Sequence, residues 1–329
     1  MSQLGANMNT RITRLDKDPH QADGRRHMRS WPTIGLLAVL LAATGCAASA
    51  PQVNDDALRA TAQSQETTLT AAEADIAARR FQLAAQRLAR LDAAMGETPR
   101  AQYAMAEVLL GLDRPHEALA RYQAVETDPA HQSLAWQGIG LALLAIGDVQ
   151  QATAQLERAV AADPKLWRAW AGLGRAHDEQ KDWAAAAAAY DGALAASPGS
   201  AVVFNNMGMS LLLQHRYAEA ATAFETAIAK DPAMETARSN LRIALAWQDR
   251  YDEALAGLQS AERADALNNI GYVAMLRGQY PQAQRFFTQA MEASPTYHHG
   301  AAENLEALKL VAKSKDAAAL PQTADTPTR

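Results

Sequence analysis

Residues 136–164 read WQGIGLALLAIGDVQQATAQLERAVAADP, and residues 170–198 read WAGLGRAHDEQKDWAAAAAAYDGALAASP. Laid 34 residues apart, the two stretches pair Trp136 with Trp170, Ile139 with Leu173 and Gly140 with Gly174, then Ala152 with Ala186, Leu156 with Tyr190, Ala159 with Ala193 and Pro164 with Pro198. Each pairing answers a packing demand. Small residues at the Gly and Ala positions let two helix axes approach closely, and large apolar ones fill the space between neighbouring helix pairs. The Pro stops the second helix, because it has no N–H and its ring clashes with the preceding turn.

Worked outward, the same positions recur in segments starting at Gln65, Pro99, Ser133, Trp167, Ala201 and Glu235. The fifth segment gives Phe204, Met207, Gly208, Leu211, Tyr217, Ala220, Phe224, Ala227 and Pro232, and the sixth gives Leu241, Leu245, Tyr251, Ala254, Leu258 and Ala261. The first two are weaker, with Phe81, Ala84 and Leu88, then Met105, Leu109, Ala118 and Tyr122, and with Ala72 and Ala106 where Gly would stand. A seventh start is due near residue 269, yet Leu267, Ile270, Gly271, Gly278, Tyr280, Ala283, Phe287, Ala290 and Pro295 place it at Ala264, so five residues are missing from the end of the sixth unit.

The pattern resembles the tetratricopeptide repeat family over Gln65–Tyr297, about 70 per cent of the chain. The resemblance implies an all-α fold, a right-handed α-solenoid of about seven helix pairs over residues 65–297. The pattern of Ala302, Leu305, Leu308 and Leu310 after it predicts a capping helix over 298–315, and the composition of 316–329 predicts a disordered tail.

Cys46 is the sole cysteine, and it directly follows the apolar run Ile34–Gly45, which is too short for a spanning helix of about 20 residues. Arg29 supplies a positive start, and Ala43-Thr44-Gly45-Cys46 resembles a bacterial lipobox. The expectation is a removable signal over 1–45, with Met28 as its true start, a lipidated Cys46 and a flexible tether over 46–64. A twin-arginine signal at Arg25-Arg26 fits its surroundings poorly. The lipoprotein resemblance implies acyl chains on Cys46 and, with Ala47 rather than Asp next to it, the periplasmic face of a bacterial outer membrane.

The whole chain carries net charge −5, and removal of residues 1–45 leaves 25 basic against 33 acidic residues, a net −8. Such a surface is ill suited to neutralising phosphates, so nucleic acid is not an expected partner. None of the eight histidines stands in the spacing of a triad or zinc site, and His298-His299, about 100° apart on a helix, could not chelate together unaided. Asp-Pro pairs at Asp128, Asp163 and Asp231 fall at repeat ends as turn residues. No enzyme, metal or cofactor is expected.

In this family the first helix of each repeat lines a concave groove. The repeats from Pro99 to Glu179 present a mixed surface with Tyr103, Glu107, Gln137, Leu141, Arg168, Arg175, Asp178 and Glu179. The last three repeats give Asn205, Met209 and Leu212, then Ser239, Ile243 and Trp247, then Asn268, Tyr272 and Met275, apolar anchors with interleaved amides suited to a peptide or helix. The alternative is that Met209, Ile243 and Tyr272 pack against facing helices. Ala171 and Asn205 stand where a carboxylate clamp would need Lys.

The stretch Asn268–Gly278 with Ala301–Leu305, and Asn240-Leu241 before Tyr251–Leu255, resembles tetratricopeptide lipoproteins of tight-adherence (Flp) pilus assembly. That resemblance implies an assembly factor working through protein contacts, with a pilus secretin among the candidate partners and the membrane reached through the anchor. Two other readings stand beside it: a pilotin or outer-membrane-protein assembly lipoprotein of another system, and a scaffold for cell-wall enzymes.

Overall fold

The computed structural model describes residues 55–294 and 298–319, so Cys46, the whole 1–45 segment, Pro295 and residues 320–329 lie outside the described residues. The described residues form sixteen helices and no strand. They run α1 (Asp55–Ala77), α2 (Phe81–Leu88), α3 (Ala93–Gly96), α4 (Pro99–Gly111), α5 (Pro115–Ala124), α6 (Gln132–Ile146), α7 (Val149–Ala162) and α8 (Trp167–Glu179). Then follow α9 (Trp183–Ala196), α10 (Ala201–Leu213), α11 (Tyr217–Lys230), α12 (Glu235–Ala246), α13 (Tyr251–Ala254), α14 (Ser260–Leu276), α15 (Tyr280–Ala293) and α16 (His299–Ala319).

The 34-residue beat is written in the backbone. Apart from Gly257, which follows the short α13, the left-handed residues are Arg79, Asp113, Gly147, Lys181, His215 and Asp249, each 34 on from the last, and Gly278, only 29 beyond Asp249. All seven sit in the turn between first and second helix. In each, the next N–H reaches back to the carbonyl five residues before it, as in Asp148 to Leu143 and Asp182 to His177, both at 2.9 Å. That is the closing bond of a Schellman turn, which reverses the chain and satisfies a stranded helix-end carbonyl.

Between the helices of a pair, one position pairing governs the approach. A Cβ on Gly140, Gly174, Gly208 or Gly271, the eighth residue of its repeat, would sit 2.5 to 2.8 Å from Leu156, Tyr190, Phe224 or Phe287, the twenty-fourth. The glycines are therefore the sockets for the large, fully buried side chains of the second helices. Tyr122, Leu156, Tyr190, Phe224 and Phe287 are at most 2% exposed.

Three boundaries differ from the expectation. Residues 55–64, read as part of a flexible tether, are helical and continuous with α1. The final helix runs to Ala319, so residues 316–319 of the expected tail are helical too. The five missing residues fall in the second helix of the sixth repeat, which shrinks to the four-residue α13, while α14 starts four residues ahead of Ala264.

The stack ends by a change of chemistry. With His299 as its first residue, α16 takes the place of an eighth first helix and packs on α14 and α15. Its eighth and eleventh positions are Glu306 and Lys309, ion-paired at 2.7 Å and exposed. A charged pair on the face that would receive another second helix is how a solenoid keeps a soluble end.

Candidate interaction groove

The first helices α4, α6, α8, α10, α12, α14 and α16 pack side by side in order. The nine expected groove residues divide on them into two sets. Met209, Ser239, Trp247, Asn268 and Tyr272 are partly exposed. Asn205, Leu212, Ile243 and Met275 are closed, at 5%, 2%, 6% and 7% exposure.

Adjacent helices do the closing. Leu212 and Ile243 belong to one apolar cluster with Leu245, Leu267 and Ile270, and Met275 packs with Phe287 and Leu308. Asn205 accepts a hydrogen bond from Asn240 Nδ2 at 2.9 Å. Ile243 therefore belongs to the core, whereas Met209 and Tyr272 pack at its margin and still meet solvent. Two amide clasps now stand out: Asn240 to Asn205, joining α12 to α10, and Asn304 to Asn268, joining α16 to α14, each at 2.9 Å.

Trp247 stacks on Tyr217 with ring centroids 5.0 Å apart and planes 4° from parallel. Its indole N–H is buried and has no acceptor, alone among buried side-chain donors of the described residues. The stack fixes the ring at the groove's edge while leaving part of it exposed.

The N-terminal half is polar for a reason invisible in the groove positions themselves. Glu107 accepts from Tyr122 Oη at 2.6 Å, Tyr103 Oη at 3.2 Å and Arg168 Nη1 at 2.7 Å, tying the second repeat to the fourth across the third. Asp178 accepts from Tyr190 Oη at 2.7 Å and Ser210 Oγ at 2.5 Å, tying the fourth to the fifth. Burial pushes the Asp178 carboxyl above its ordinary value against the pull of both hydroxyls. Burial likewise raises the Tyr122 and Tyr190 phenols, and the adjacent carboxylates add to it. The signal was available in the sequence: a Tyr in the twenty-fourth position, where Phe or Leu suffices, calls for an acceptor on a first helix. Arg175 and Glu179 stay exposed.

His298 caps α16, with Nδ1 accepting the Ala301 N–H at 3.1 Å and Nε2 3.2 Å from Asp265, while His299 is exposed. Asp163 and Asp231 accept the N–H groups of Lys165 and Ala233, each at 3.0 Å, as turn residues do. Among the described residues no three His, Cys, Asp or Glu side chains gather as a metal site, and no helix is long and apolar enough to cross a membrane.

A stack of paired helices whose first helices present a shared face defines a helical-repeat interaction scaffold. Within residues 138–297 the repeats are tetratricopeptide repeats: profiles described by that name match residues 138–201, 211–273 and 264–297. Among solved structures, the chain is similar to one in the APC/C hetero-tetramer Cut9-Hcn1, at 17% identity and a TM-score of 0.51, over 64% of this chain and 43% of that one. The chain thus spans under half the length of that relative, and the likeness is one of fold. It is also similar to YrrB, described as a TPR protein with an unusual peptide-binding site (20% identity, TM-score 0.41, 59% of this chain and 97% of that one). A third is PilW, described as a widely conserved type IV pilus biogenesis factor (23% identity, TM-score 0.43, 58% and 95%). No curated protein matches the chain.

Proposed function

We propose that this protein is a lipid-anchored periplasmic scaffold that gathers protein partners at the outer membrane, as an assembly factor for a pilus or secretion system of the tight-adherence type. The observation that carries the reading is the partly exposed set Met209, Ser239, Trp247, Asn268 and Tyr272 on three successive first helices. Aromatic and thioether anchors beside amides suit a peptide or helix, giving apolar burial with hydrogen bonds to its backbone. The lipobox-like Ala43–Cys46 supports the anchor, and the resemblance of Asn268–Gly278 and Ala301–Leu305 supports the pilus-assembly role.

Two experiments test it. Cys46→Ala moves the protein out of the membrane fraction, as soluble periplasmic or uncleaved material; mature protein still recovered in membranes would remove the anchor from the account. Met209, Trp247 and Tyr272 replaced together by Asp abolishes partner recovery after crosslinking in the native host, with far-UV circular dichroism unchanged. Pilin or secretin among the recovered partners supports the pilus role, while cell-wall hydrolases would favour a scaffold for those enzymes instead.

A further inference from the structure

The sixth repeat breaks the rules the others keep. Its eighth position is Arg242, where the other six repeats have Gly or Ala. The twenty-fourth residue that would descend on it, Leu258, lies beyond the end of α13. Arg242 is half-buried, and no hydrogen bond or ion pair joins its guanidinium to another described residue. In α16 the same position is Glu306, which no second helix covers. A charge in the socket thus marks the two places where the second-helix layer stops.

Packing across the sixth repeat is correspondingly one-sided. Elsewhere the second helix packs on the next first helix, as α5 does on α6, α7 on α8, α11 on α12 and α15 on α16, but α13 makes no substantial packing with α14. The first helices stay joined, with Ile243, Ala244 and Ala246 in one apolar cluster with Leu267, Ile270 and Val273. Polar ties gather at the edge formed by the turns inside repeats: Arg277 donates to both oxygens of Asp249 at 2.8 and 2.6 Å and to the Ala246 carbonyl at 3.1 Å. Gln279 Nε2 donates to Asp249 at 2.9 Å, and Tyr251 Oη donates to Gln279.

At the other edge, near the starts of the first helices, no amide tie crosses; the N-terminal repeats lack one too, but there a full second helix packs on the next first helix. The clasp of fifth-position Asn to sixth-position Asn holds Asn205 to Asn240 and Asn268 to Asn304, on either side of the joint. Across the joint those positions are Ser239 and Asn269, both partly exposed, with no hydrogen bond between them. Ser is one bond too short to make the clasp an Asn makes.

We infer that the sixth repeat is a flexure joint: α14–α16 swing as a body against α1–α12, pinned at Asp249–Arg277 and opening between Ser239 and Asn269. The apolar seam between α12 and α14 is the leaf of the hinge, and the shortened helix reduces the brace against the swing to Tyr251 on Phe286, ring centroids 5.1 Å apart, and Arg263 on the Leu255 carbonyl at 3.3 Å. Opening changes the distance between Ser239 and Asn268, so the joint sets the width of the groove at the point where its partly exposed residues lie. The joint rests on packing alone and operates whichever partner the groove takes.

Spin-label distance distributions test it, in a Cys46→Ser background with cysteine pairs at exposed second-helix positions. Thr222 and Arg285 lie two units apart across the joint, and Ala154 and Thr222 lie two units apart across intact repeats. The Thr222/Arg285 distribution is roughly twofold broader than the Ala154/Thr222 one, and Ser239→Asn, which restores the clasp, narrows it towards the control. Equal widths for the two pairs overturn the inference. So does a broad Thr222/Arg285 distribution that Ser239→Asn leaves unchanged while the same variant raises thermal stability, because the clasp would then have formed without restraining the joint.

Discussion

Single residues carry more of this fold's regularity than their variety suggests. Seven left-handed turns recur, yet only two are occupied by glycine. A non-glycine residue held there costs about 1 kcal/mol, so Lys181→Gly, at φ 60°, raises stability by roughly 0.5 kcal/mol in urea titration once the looser unfolded chain is counted. Gly147→Ala, at φ 95°, lowers it by about 1 kcal/mol. At the buried nodes, Tyr190→Phe keeps the packing that Phe224 and Phe287 provide elsewhere but takes one donor from Asp178, at a cost of about 1–3 kcal/mol. Asp178 itself gives a pH signature. An acid whose folded pKa is raised binds its proton more readily in the folded chain, so its ionisation withdraws stability as pH rises through that folded value. Measured from pH 4 to pH 7, the stability of wild type therefore falls relative to Asp178→Asn. A difference that grows in favour of wild type would mean that the hydroxyls of Ser210 and Tyr190 outweigh burial.

At the scale of elements, the rule is socket and plug. Gly208→Val puts a branched side chain where the Phe224 ring would lie 2.5 Å from the new Cβ, and overpacking of that kind costs about 3 kcal/mol or unpairs the helices. Arg242→Gly removes no such clash, so its cost stays below about 1 kcal/mol, near that of any Gly placed in a helix; a large loss would mean the guanidinium holds the sixth repeat together. The sequence carried most of this level. Period, helix pairs and even the number of missing residues were legible, because Gly, Ala and Pro positions record backbone approach directly. Where the deletion acts was not legible: Tyr251, Ala254 and Leu258 keep the spacing of a second helix, but the five residues lost are those needed to return from a full helix to α14. Arg242 was the overlooked sign. The 55–64 stretch was misread for the opposite reason, since a helix continuing past its packed part needs no apolar stripe.

For the whole molecule, the sequence separated a polar from an apolar half of the groove but not wall from surface. In the stack, Asn205, Leu212, Ile243 and Met275 are closed by packing that reaches beyond their own helices, Asn205 by the Asn240 clasp, Leu212 and Ile243 within the shared apolar cluster, and Met275 between Phe287 and Leu308. Burial by a neighbour depends on how tightly successive repeats pack, which a one-dimensional pattern does not encode. The division has a direct consequence for mutagenesis. Ile243→Asp buries a charge in the core and unfolds the C-terminal repeats, whereas Tyr272→Asp leaves the thermal transition within about 1 kcal/mol of wild type. The central claim, that partners are held on the first-helix face of the last three repeats, is tested most directly by a photo-crosslinking amino acid placed in the native host at Tyr272 or, on the second-helix face, at Gln289. The account predicts a discrete crosslinked partner from position 272 and none from position 289; a partner captured from 289 and not from 272 would contradict it.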